Sequence, residues 1–270
     1  MWPPTCTSNT MIRMDGWIQG PVVSCHGIHI MFRANRPGVL AAIDSTFIPG
    51  CCAAETVKSD LTYSLESDES RGTYAAYIGS RRLIQASNLD RVVDFVRSHA
   101  RHAIAENALE RLFVHAGAVG WRGKAILLPG KSHAGKSLLV RELICAGALY
   151  FSDEFAVLDS DGFVHPFALP LSVRTLNGKV ACHANELGAN TAVEPLPVGL
   201  VLFTKYKAGA TFQPARLTEG RAVLELLKHV VAVRNCPRTA VRIAKSVISG
   251  CEVLHSIRGE ARSTTQALLV

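Results

Sequence analysis

The stretch Gly130-Lys131-Ser132-His133-Ala134-Gly135-Lys136-Ser137 has the form G-x-x-x-x-G-K-S. The apolar run 125–129 before it predicts a short buried strand, and the spacing of apolar residues after it predicts a helix. Strand, glycine-rich turn and helix together let backbone N–H groups, reinforced by the helix dipole, surround a polyphosphate. The sequence therefore predicts that residues 130–137 bind ATP or GTP. Lys136 would reach the β and γ phosphates, and the Ser137 hydroxyl would bind Mg²⁺.

The composition predicts a folded chain with an anionic ligand. A chain of 270 residues with 48% hydrophobic residues can bury one large core or two modest ones. Charged residues make up 19%, and the net charge of +7 is spread along the chain without a long basic run. That balance suits a ligand such as ATP. It gives only weak support for a nucleic-acid partner, and none is expected.

The cysteines and the N-terminus predict a cytoplasmic protein. The eight cysteines include no C-x-x-C pair, so we expect reduced, mostly buried thiols. No basic segment followed by an apolar core opens the chain, so no signal peptide is expected. No apolar stretch approaches the roughly 20 residues that a membrane helix needs. We therefore expect no membrane partner.

Residues 1–105 predict a small α+β region without a catalytic cluster. Residues up to about 17 are irregular, and alternation of apolar residues predicts strands at 28–32 and 60–65. The runs 74–78 and 82–86, separated by Gly79-Ser80, predict a hairpin. A short helix is expected over 37–42. A long helix is expected after an N-cap at Asn88, with Leu109 and Leu112 continuing the helical region.

Residues 106–270 predict an α/β domain, a mixed sheet built around the phosphate-binding loop. Strands are expected at 113–119, 125–129, 149–151, 155–158, 163–165 and 198–203. The helix after the loop is expected to stop at Gly147, and Asp159 to Gly162 predicts a hairpin turn. A second helix is expected over 221–233. The segment 252–270 predicts a strand followed by a short helix.

The acidic pair Asp153-Glu154 follows the first strand after the loop helix. A phosphotransferase needs a carboxylate that holds Mg²⁺ or accepts a proton from the attacking hydroxyl. Adjacent side chains on a regular strand face opposite ways, so both reach one site only if the backbone turns there. We assign Asp153 as the base, because a shorter carboxylate is placed more precisely, and Glu154 as a metal ligand. Solvated acids at a strand end are the alternative.

Three further residues have a structural interpretation beside the functional one. Taken alone, His115 in its apolar strand is better explained as a core histidine bonded to the backbone. Arg174 offers a planar fork of donors that could clamp a phosphate, but a surface arginine explains it equally well. His133 lies inside the loop, and we expect its side chain to point outward.

Four segments in this order resemble the HPr kinase/phosphorylase family, and more closely its stand-alone bacterial HPr-kinase-related proteins. They are 113–117 (Phe-Val-His-Ala-Gly), the loop 130–137, the segment 146–154 and 170–174 (Pro-Leu-Ser-Val-Arg). The resemblance covers roughly residues 110–180, and residues 1–100 do not resemble the family's N-terminal domain. It implies the P-loop core shared with ATP-dependent phosphoenolpyruvate carboxykinase. The implied reaction transfers a phosphoryl group to a serine hydroxyl.

The resemblance also implies roles for single residues. The family's histidine before the loop matches His115, which becomes a candidate site residue. Its catalytic pair of aspartates matches Asp153 and Glu154, so the base role falls on Asp153, while Glu154 is one methylene longer. The family's segment associated with dephosphorylation is not found, so neither the phosphorylase activity nor HPr as acceptor is carried over. A related branch phosphorylates small peptide natural products.

Together these patterns predict an ATP- and Mg²⁺-dependent kinase. The catalytic residues expected are His115, Lys136, Asp153 and Arg174. The expected acceptor is a serine hydroxyl of a protein or peptide, and self-association into a homo-oligomer is left open. Two alternatives are an ATP-binding regulatory module with little catalysis and a small-molecule kinase. A phosphoenolpyruvate carboxykinase is disfavoured, because the chain is short and the carboxylate-binding and additional metal-ligand motifs are not evident.

Overall fold

A computed structural model describes residues 12–14, 16–44, 48–56, 58–130, 135–175 and 178–269 of the chain. The chain divides into two compact units, Met1–Ala108 and Leu109–Val270. Each unit has its own sheet and its own helices. The α/β class expected from the sequence is confirmed, with mixed sheets and six α-helices among the described residues.

The first unit is a sheet accompanied by two helices. Its strands run in the order β1-β2-β3-β5-β6-β7, with β4 beside β2, and the pairs are antiparallel except for parallel β3 and β5. The strands are β1 (Ile12–Met14), β2 (Trp17–Cys25), β3 (Ile28–Ala34), β4 (Cys51–Ala53), β5 (Leu61–Asp68), β6 (Thr73–Ile78) and β7 (Arg81–Ala86). The helices are α1 (Pro37–Asp44) and α2 (Leu89–Asn107).

Helix α2 begins where the sequence predicts, because Asn88 caps it. The Asn88 side chain accepts the backbone N–H of Arg91, which satisfies one of the unpaired donors of the first turn. Its inner face packs on the sheet, where the buried Tyr63 hydroxyl bonds His99 Nδ1 at 2.8 Å. The helix ends at Asn107, so the expectation that Leu109 and Leu112 continue it is wrong. Leu112 instead begins the next strand.

The second unit holds the remaining elements. Its strands are β8 (Leu112–Trp121), β9 (Lys124–Pro129), β10 (Leu149–Ser152), β11 (Phe155–Leu158), β12 (Phe163–His165), β13 (Leu171–Thr175), β14 (Gly178–Cys182), β15 (Leu196–Tyr206), β16 (Ala215–Arg216) and β17 (Glu252–Arg258). Its helices are α3 (Lys136–Cys145), α4 (Glu219–Leu227), α5 (Pro237–Ser249) and α6 (Ala261–Leu268). A 3₁₀ turn spans Ala184–Leu187.

Three parallel strands determine where the site lies. Strand β15 pairs in parallel with β9 on one side and with β17 on the other. The carboxyl ends of parallel strands lie at the same edge of a sheet, where α/β proteins bind their ligands. Strand β9 leads into the glycine-rich loop at that edge. The ends of β15 and β17 therefore flank the loop, although they are far from it in sequence.

Helix α3 lies close against β8 because Gly117 has no side chain. A Cβ atom at Gly117 would collide with the Val140 side chain of α3. Leu139, Val140 and Leu143 on this helix are fully buried, in a cluster with Leu128 of β9. The close approach fixes the position of the helix start relative to β8 and β9.

Several element predictions fail, each for a local reason. Strand β1 (Ile12–Met14) lies in the region expected to be irregular, and β2 begins at Trp17, before the first strand expected at 28–32. Strand β2 escaped prediction because it mixes glycine, proline and polar residues and has little alternation. The helix expected over 221–233 ends at Leu227, and α5 was not predicted. The segment after α4 turns back to β8, where the Val231 N–H donates to the Phe113 carbonyl. This tertiary contact ends the helix while its apolar spacing continues.

The cysteine prediction is wrong in two respects. Cys25 and Cys51 are partners on the neighbouring strands β2 and β4, and their sulfur atoms form a disulfide. The remaining described cysteines are not mostly buried. Cys52 and Cys145 are exposed, and the other three are half-buried. Within the described residues, no helix is long and apolar enough to cross a membrane.

Candidate active site

The two ends of the glycine-rich loop are held by Lys136 and His115. The Lys136 ammonium donates to the Gly130 carbonyl at 2.6 Å, so the residue after the loop's last glycine bonds to its first residue. The Gly130 N–H donates to the His115 carbonyl of β8 at 3.1 Å. The predicted nucleotide-binding residues Lys131, Ser132, His133 and Ala134 lie outside the described residues. The structure therefore describes the first residue of the loop and the start of α3. Each of them makes contacts with other residues of the site.

Gly135 forms the junction between the loop and α3. It is the N-cap residue of the helix and has a φ of 77°, in the left-handed region. Glycine adopts this conformation without the steric penalty that a Cβ atom brings. The N–H groups of the first turn of α3, with the helix dipole behind them, are suited to an anion. These features agree with the phosphate-binding role predicted from the sequence.

The acidic pair lies where the chain bends between β10 and β11. The Ser152 hydroxyl accepts the backbone N–H groups of Glu154 and Phe155 at 3.2 and 3.1 Å. Both strands pair with β8, the register of β10 shifts between Tyr150 and Ser152, and residues 153 and 154 form a bend before β11 begins at Phe155. The backbone turn that would let both carboxylates reach one site is present. The serine before the pair produces it.

Asp153 has a perturbed titration. Burial raises the pKa of its carboxyl to about 6, and the charge of Glu154 adds to this increase. The Ser137 hydroxyl and the Lys136 ammonium lower the pKa again, but only in part. Three residues from two predicted motifs are therefore within electrostatic reach of Asp153. A carboxylate with a pKa near 6 is still ionised at neutral pH and is a stronger base than an ordinary aspartate.

Lys136 responds to the same surroundings. Burial lowers the pKa of its ammonium, and the Asp153 carboxylate opposes the change. The two side chains thus stabilise each other's charged form. A cation in a partly desolvated site interacts more strongly with phosphate oxygens than one in water does.

The residues present fit a bound Mg²⁺. The Asp153 Oδ1 atom is buried and has no hydrogen-bond partner among the described residues. A buried carboxylate oxygen without a donor is the kind of group that a cation satisfies. Ser137, Asp153 and Glu154 offer only oxygen atoms, which Mg²⁺ prefers. In the described part of the chain, no group of three or more His, Cys, Asp or Glu could hold a metal by itself. That agrees with Mg²⁺ that keeps waters and phosphate oxygens as ligands.

His115 lies beside the acidic bend. Its backbone N–H donates to the His229 carbonyl at 2.8 Å, and its ring lies 5.0 Å from the Phe155 ring. The side chain is half-buried, not fully buried as the apolar strand suggested. His115 therefore faces the residue that directly follows Glu154. A structural role for its backbone and a site role for its ring are compatible.

Arg174 is located only through its strand. It lies on β13, which pairs with β14 in a two-stranded ribbon, and its register partner is Lys179. Leu171 of the same strand packs in the cluster that includes Leu139 and Val140 of α3. The Arg174 side chain is outside the described part, so its role as a phosphate clamp stays a prediction.

Sequence reasoning missed Arg258 and Tyr206. Arg258 ends β17 and its side chain is fully buried, with Nη2 donating to the Gly135 carbonyl at 2.7 Å. Tyr206 ends β15, and the Arg258 guanidinium lies 5.6 Å from the centre of its ring. A charged residue at the carboxyl end of an apolar strand is the available sequence signal. Only the parallel order β9-β15-β17 shows that both residues lie at the loop.

Comparison with known proteins adds little. No family model matches the chain, and no curated protein matches its sequence. Among solved structures, the chain is distantly similar to the Hpr(Ser) kinase/phosphatase from Coxiella burnetii, with 12% sequence identity and a TM-score of 0.29. The similarity covers 58% of this chain and 90% of that one. A similarity at this TM-score does not establish a function for this chain.

Proposed function

We propose that this chain is an ATP- and Mg²⁺-dependent kinase that transfers the γ-phosphoryl group to the hydroxyl of a serine in a protein or peptide. The observation that carries the proposal is the Asp153 carboxylate, half-buried with a fully buried Oδ1 atom, within electrostatic reach of Lys136 and Ser137 at the end of a G-x-x-x-x-G-K-S loop. The buried Oδ1 atom of Asp153 has no hydrogen-bond donor among the described residues, so it is available to accept a proton. A transferase requires a base for the acceptor proton.

Each residue has a role in the proposed transfer. The Asp153 carboxylate takes the proton of the acceptor hydroxyl while the hydroxyl oxygen bonds to the γ-phosphorus. The bond between the γ-phosphorus and the oxygen bridging it to the β-phosphate breaks, and ADP leaves with that oxygen. Lys136 and the N–H groups at the start of α3 stabilise the negative charge on the phosphates. His115 lies on the neighbouring strand and would contact the reacting groups through its ring.

Mg²⁺ would be held by Ser137, Asp153 and Glu154 together with phosphate oxygens. When bound, it neutralises phosphate charge. Asp153 could serve both as a metal ligand and as the base, because a carboxylate has two oxygens. The assignment of Glu154 to the metal follows from its place beside Asp153 at the same bend.

The test combines purified protein, γ-labelled ATP and a lysate of the source cells. We expect a labelled protein or peptide with the unmodified chain, none with Lys136→Ala, and normal labelling with the exposed-lysine control Lys245→Ala. Asp153→Asn should bind ATP normally and transfer no label, whereas the exposed-acid control Asp161→Asn should behave as the unmodified chain does. Normal labelling by Asp153→Asn would refute the base assignment.

The same experiment separates the alternatives. Label that appears only in small molecules would make the chain a small-molecule kinase. Tight ATP binding without labelled product or ATP turnover would make it a regulatory nucleotide-binding module. Absence of ATP binding by the unmodified chain would refute the proposal altogether.

A further inference from the structure

Arg258 is a buried cation that the proposed reaction leaves without a role. Its side chain is fully buried at the carboxyl end of β17, which pairs with β15, and β15 pairs on its other side with β9, the strand that leads into the loop. Burying a charge is costly unless it is paired or hydrogen bonded. Among the described residues, no carboxylate forms an ion pair with it. The Glu260 carboxylate favours the charged form of Arg258 without forming an ion pair, and the direct contacts of Arg258 are with other groups.

Those groups are two backbone carbonyls and an aromatic ring. Nη2 donates to the Gly135 carbonyl at 2.7 Å, and Nη1 donates to the Gly259 carbonyl at 3.0 Å. The ring of Tyr206 lies 5.6 Å from the guanidinium carbon. The nearby Glu260 carboxylate instead accepts the Tyr206 hydroxyl at 3.0 Å. The rigid guanidinium thus links Gly259, just after β17, to Gly135, just before Lys136.

Gly135 is shaped for this contact. A Cβ atom on Gly135 would lie 2.6 Å from Arg258 Nη2, so no other residue fits beside the guanidinium as it stands. The Gly135 carbonyl also accepts the Leu139 N–H at 3.3 Å, the first hydrogen bond of α3. Two donors therefore fix the direction of this one carbonyl. The shorter bond is the one from Arg258.

The direction of that carbonyl determines the direction of the next N–H. In a planar trans peptide, the carbonyl of one residue and the N–H of the following residue point opposite ways. The Gly135 carbonyl and the Lys136 N–H belong to the same peptide. When Arg258 holds the carbonyl on its own side, the Lys136 N–H is directed to the other side. A carbonyl turned toward a phosphate would repel it, and an N–H in its place binds it.

We propose that Arg258 is a positioning residue for nucleotide phosphates, acting through the Gly135–Lys136 peptide. The inference rests on the proposed function, since it assigns Arg258 to the same nucleotide site. It predicts that Arg258 contributes to the affinity for the phosphates and leaves the affinity for the nucleoside unchanged. A purely structural arginine would affect both equally or neither.

The experiment measures dissociation constants for ADP and adenosine on the full chain, the latter by ligand-observed NMR because it binds weakly. Arg258→Met should weaken ADP binding about tenfold, the effect of one lost charge-assisted hydrogen bond, with adenosine unchanged. Arg258→Lys should recover part of the loss, since an ammonium can reach Gly135 but lacks the fork that also bonds Gly259. The exposed arginine of α6 gives the matched control, Arg262→Met, which should change neither constant.

Equal ADP affinity in Arg258→Met and the unmodified chain would overturn the inference, and so would a parallel loss for adenosine. If the unmodified chain binds no ADP, the proposed function itself fails, which is a different result. Should Arg258→Met not fold, the half-exposed Tyr206 decides the matter. Tyr206→Leu removes the ring over the guanidinium and should weaken ADP binding about threefold, while Tyr206→Phe keeps it. Equal ADP affinity in these two variants would also overturn the inference.

Discussion

Two aspartates at opposite ends of β11 have opposite electrostatics. Asp153 lies just before the strand, and Asp159 lies just after it. Burial raises the pKa of Asp153 to about 6. Burial also acts to raise the pKa of Asp159, but His165 and two backbone N–H groups more than offset it, so that pKa lies below its usual value. The two residues have the same type of side chain and flank the same strand. They differ in the hydrogen-bond donors that reach their carboxylates.

The donors explain the difference. Asp159 Oδ1 accepts the N–H groups of Asp161 and Phe163 at 3.0 and 2.9 Å, and Oδ2 bonds His165 Nε2 at 2.7 Å. Asp153 Oδ1 has no donor among the described residues. Carboxylates that accept several donors hold their charge and stabilise a turn, whereas a buried one without them is available for a proton or a cation. Asp159 therefore stabilises the hairpin, and Asp153 remains available for the proposed reaction.

The largest expected effect concerns the transfer rate. Asp153→Asn should reduce the rate by a factor of about 10² to 10⁴, the usual contribution of a general base. In the unmodified chain the rate should rise with pH through an acid limb whose midpoint is at or below about 6, because Asp153 must be ionised to accept a proton and bound Mg²⁺ lowers its pKa. Asp159→Asn should keep this pH profile. A profile from initial rates with an excess of acceptor checks both statements, and an unchanged acid limb in Asp153→Asn would contradict them.

Asp153→Asn should also stabilise the fold. The pKa of Asp153 is raised from 3.8 to about 6, so the folded state binds the proton more tightly than the unfolded state. Stability therefore falls as the pH rises between these values, and the cost is complete above the folded pKa. Asp153→Asn should raise the free energy of unfolding by on the order of 2 kcal/mol near pH 7. Urea unfolding at several pH values measures this, and the gain should shrink toward pH 4.

Asp159→Asn should have the opposite effect on the free energy of unfolding. The pKa of Asp159 is lowered in the folded state, so its ionised form adds stability above the unfolded pKa. That contribution disappears as the pH falls through the folded pKa. Near pH 7 the substitution should reduce the free energy of unfolding by about 1 kcal/mol. ADP affinity should not change, and a gain in stability would mean that the donors do not offset burial.

The smallest expected effect on stability distinguishes the histidine donor of Asp159 from its two backbone donors. His165→Leu removes the side-chain donor but leaves both backbone N–H groups, so it should cost less than about 1 kcal/mol. His165→Gln keeps a donor of similar reach and should cost less still. The comparison is made by thermal unfolding beside Asp159→Asn. If His165→Leu is the more damaging variant, the histidine and not the hairpin backbone holds Asp159.

Local patterns predicted the elements whose cause is local. Asn88 caps α2, Gly147 follows the end of α3, and Asp159 to Gly162 turns the hairpin, each through contacts within a few residues. Prediction failed where contacts with a distant segment determine the local structure. The region expected to be one helix over 221–233 turns back to β8, and Cys25 meets Cys51 only because β2 and β4 pair. Such contacts leave no periodic signal in the sequence.

The candidate site divides in the same way. The sequence by itself determined the chemistry at hand, because the loop 130–137 and the pair Asp153-Glu154 are contiguous motifs whose residue types suit phosphate and Mg²⁺. The tertiary structure decided which carboxylate has a buried oxygen without a hydrogen-bond donor, since the bend after Ser152 places Asp153 beside Lys136 and Ser137 at the start of α3. It also brought Arg258 to Gly135, because parallel pairing of β9, β15 and β17 joins residues 123 positions apart. Burial and strand order depend on the whole chain, which is why no single motif could reveal them.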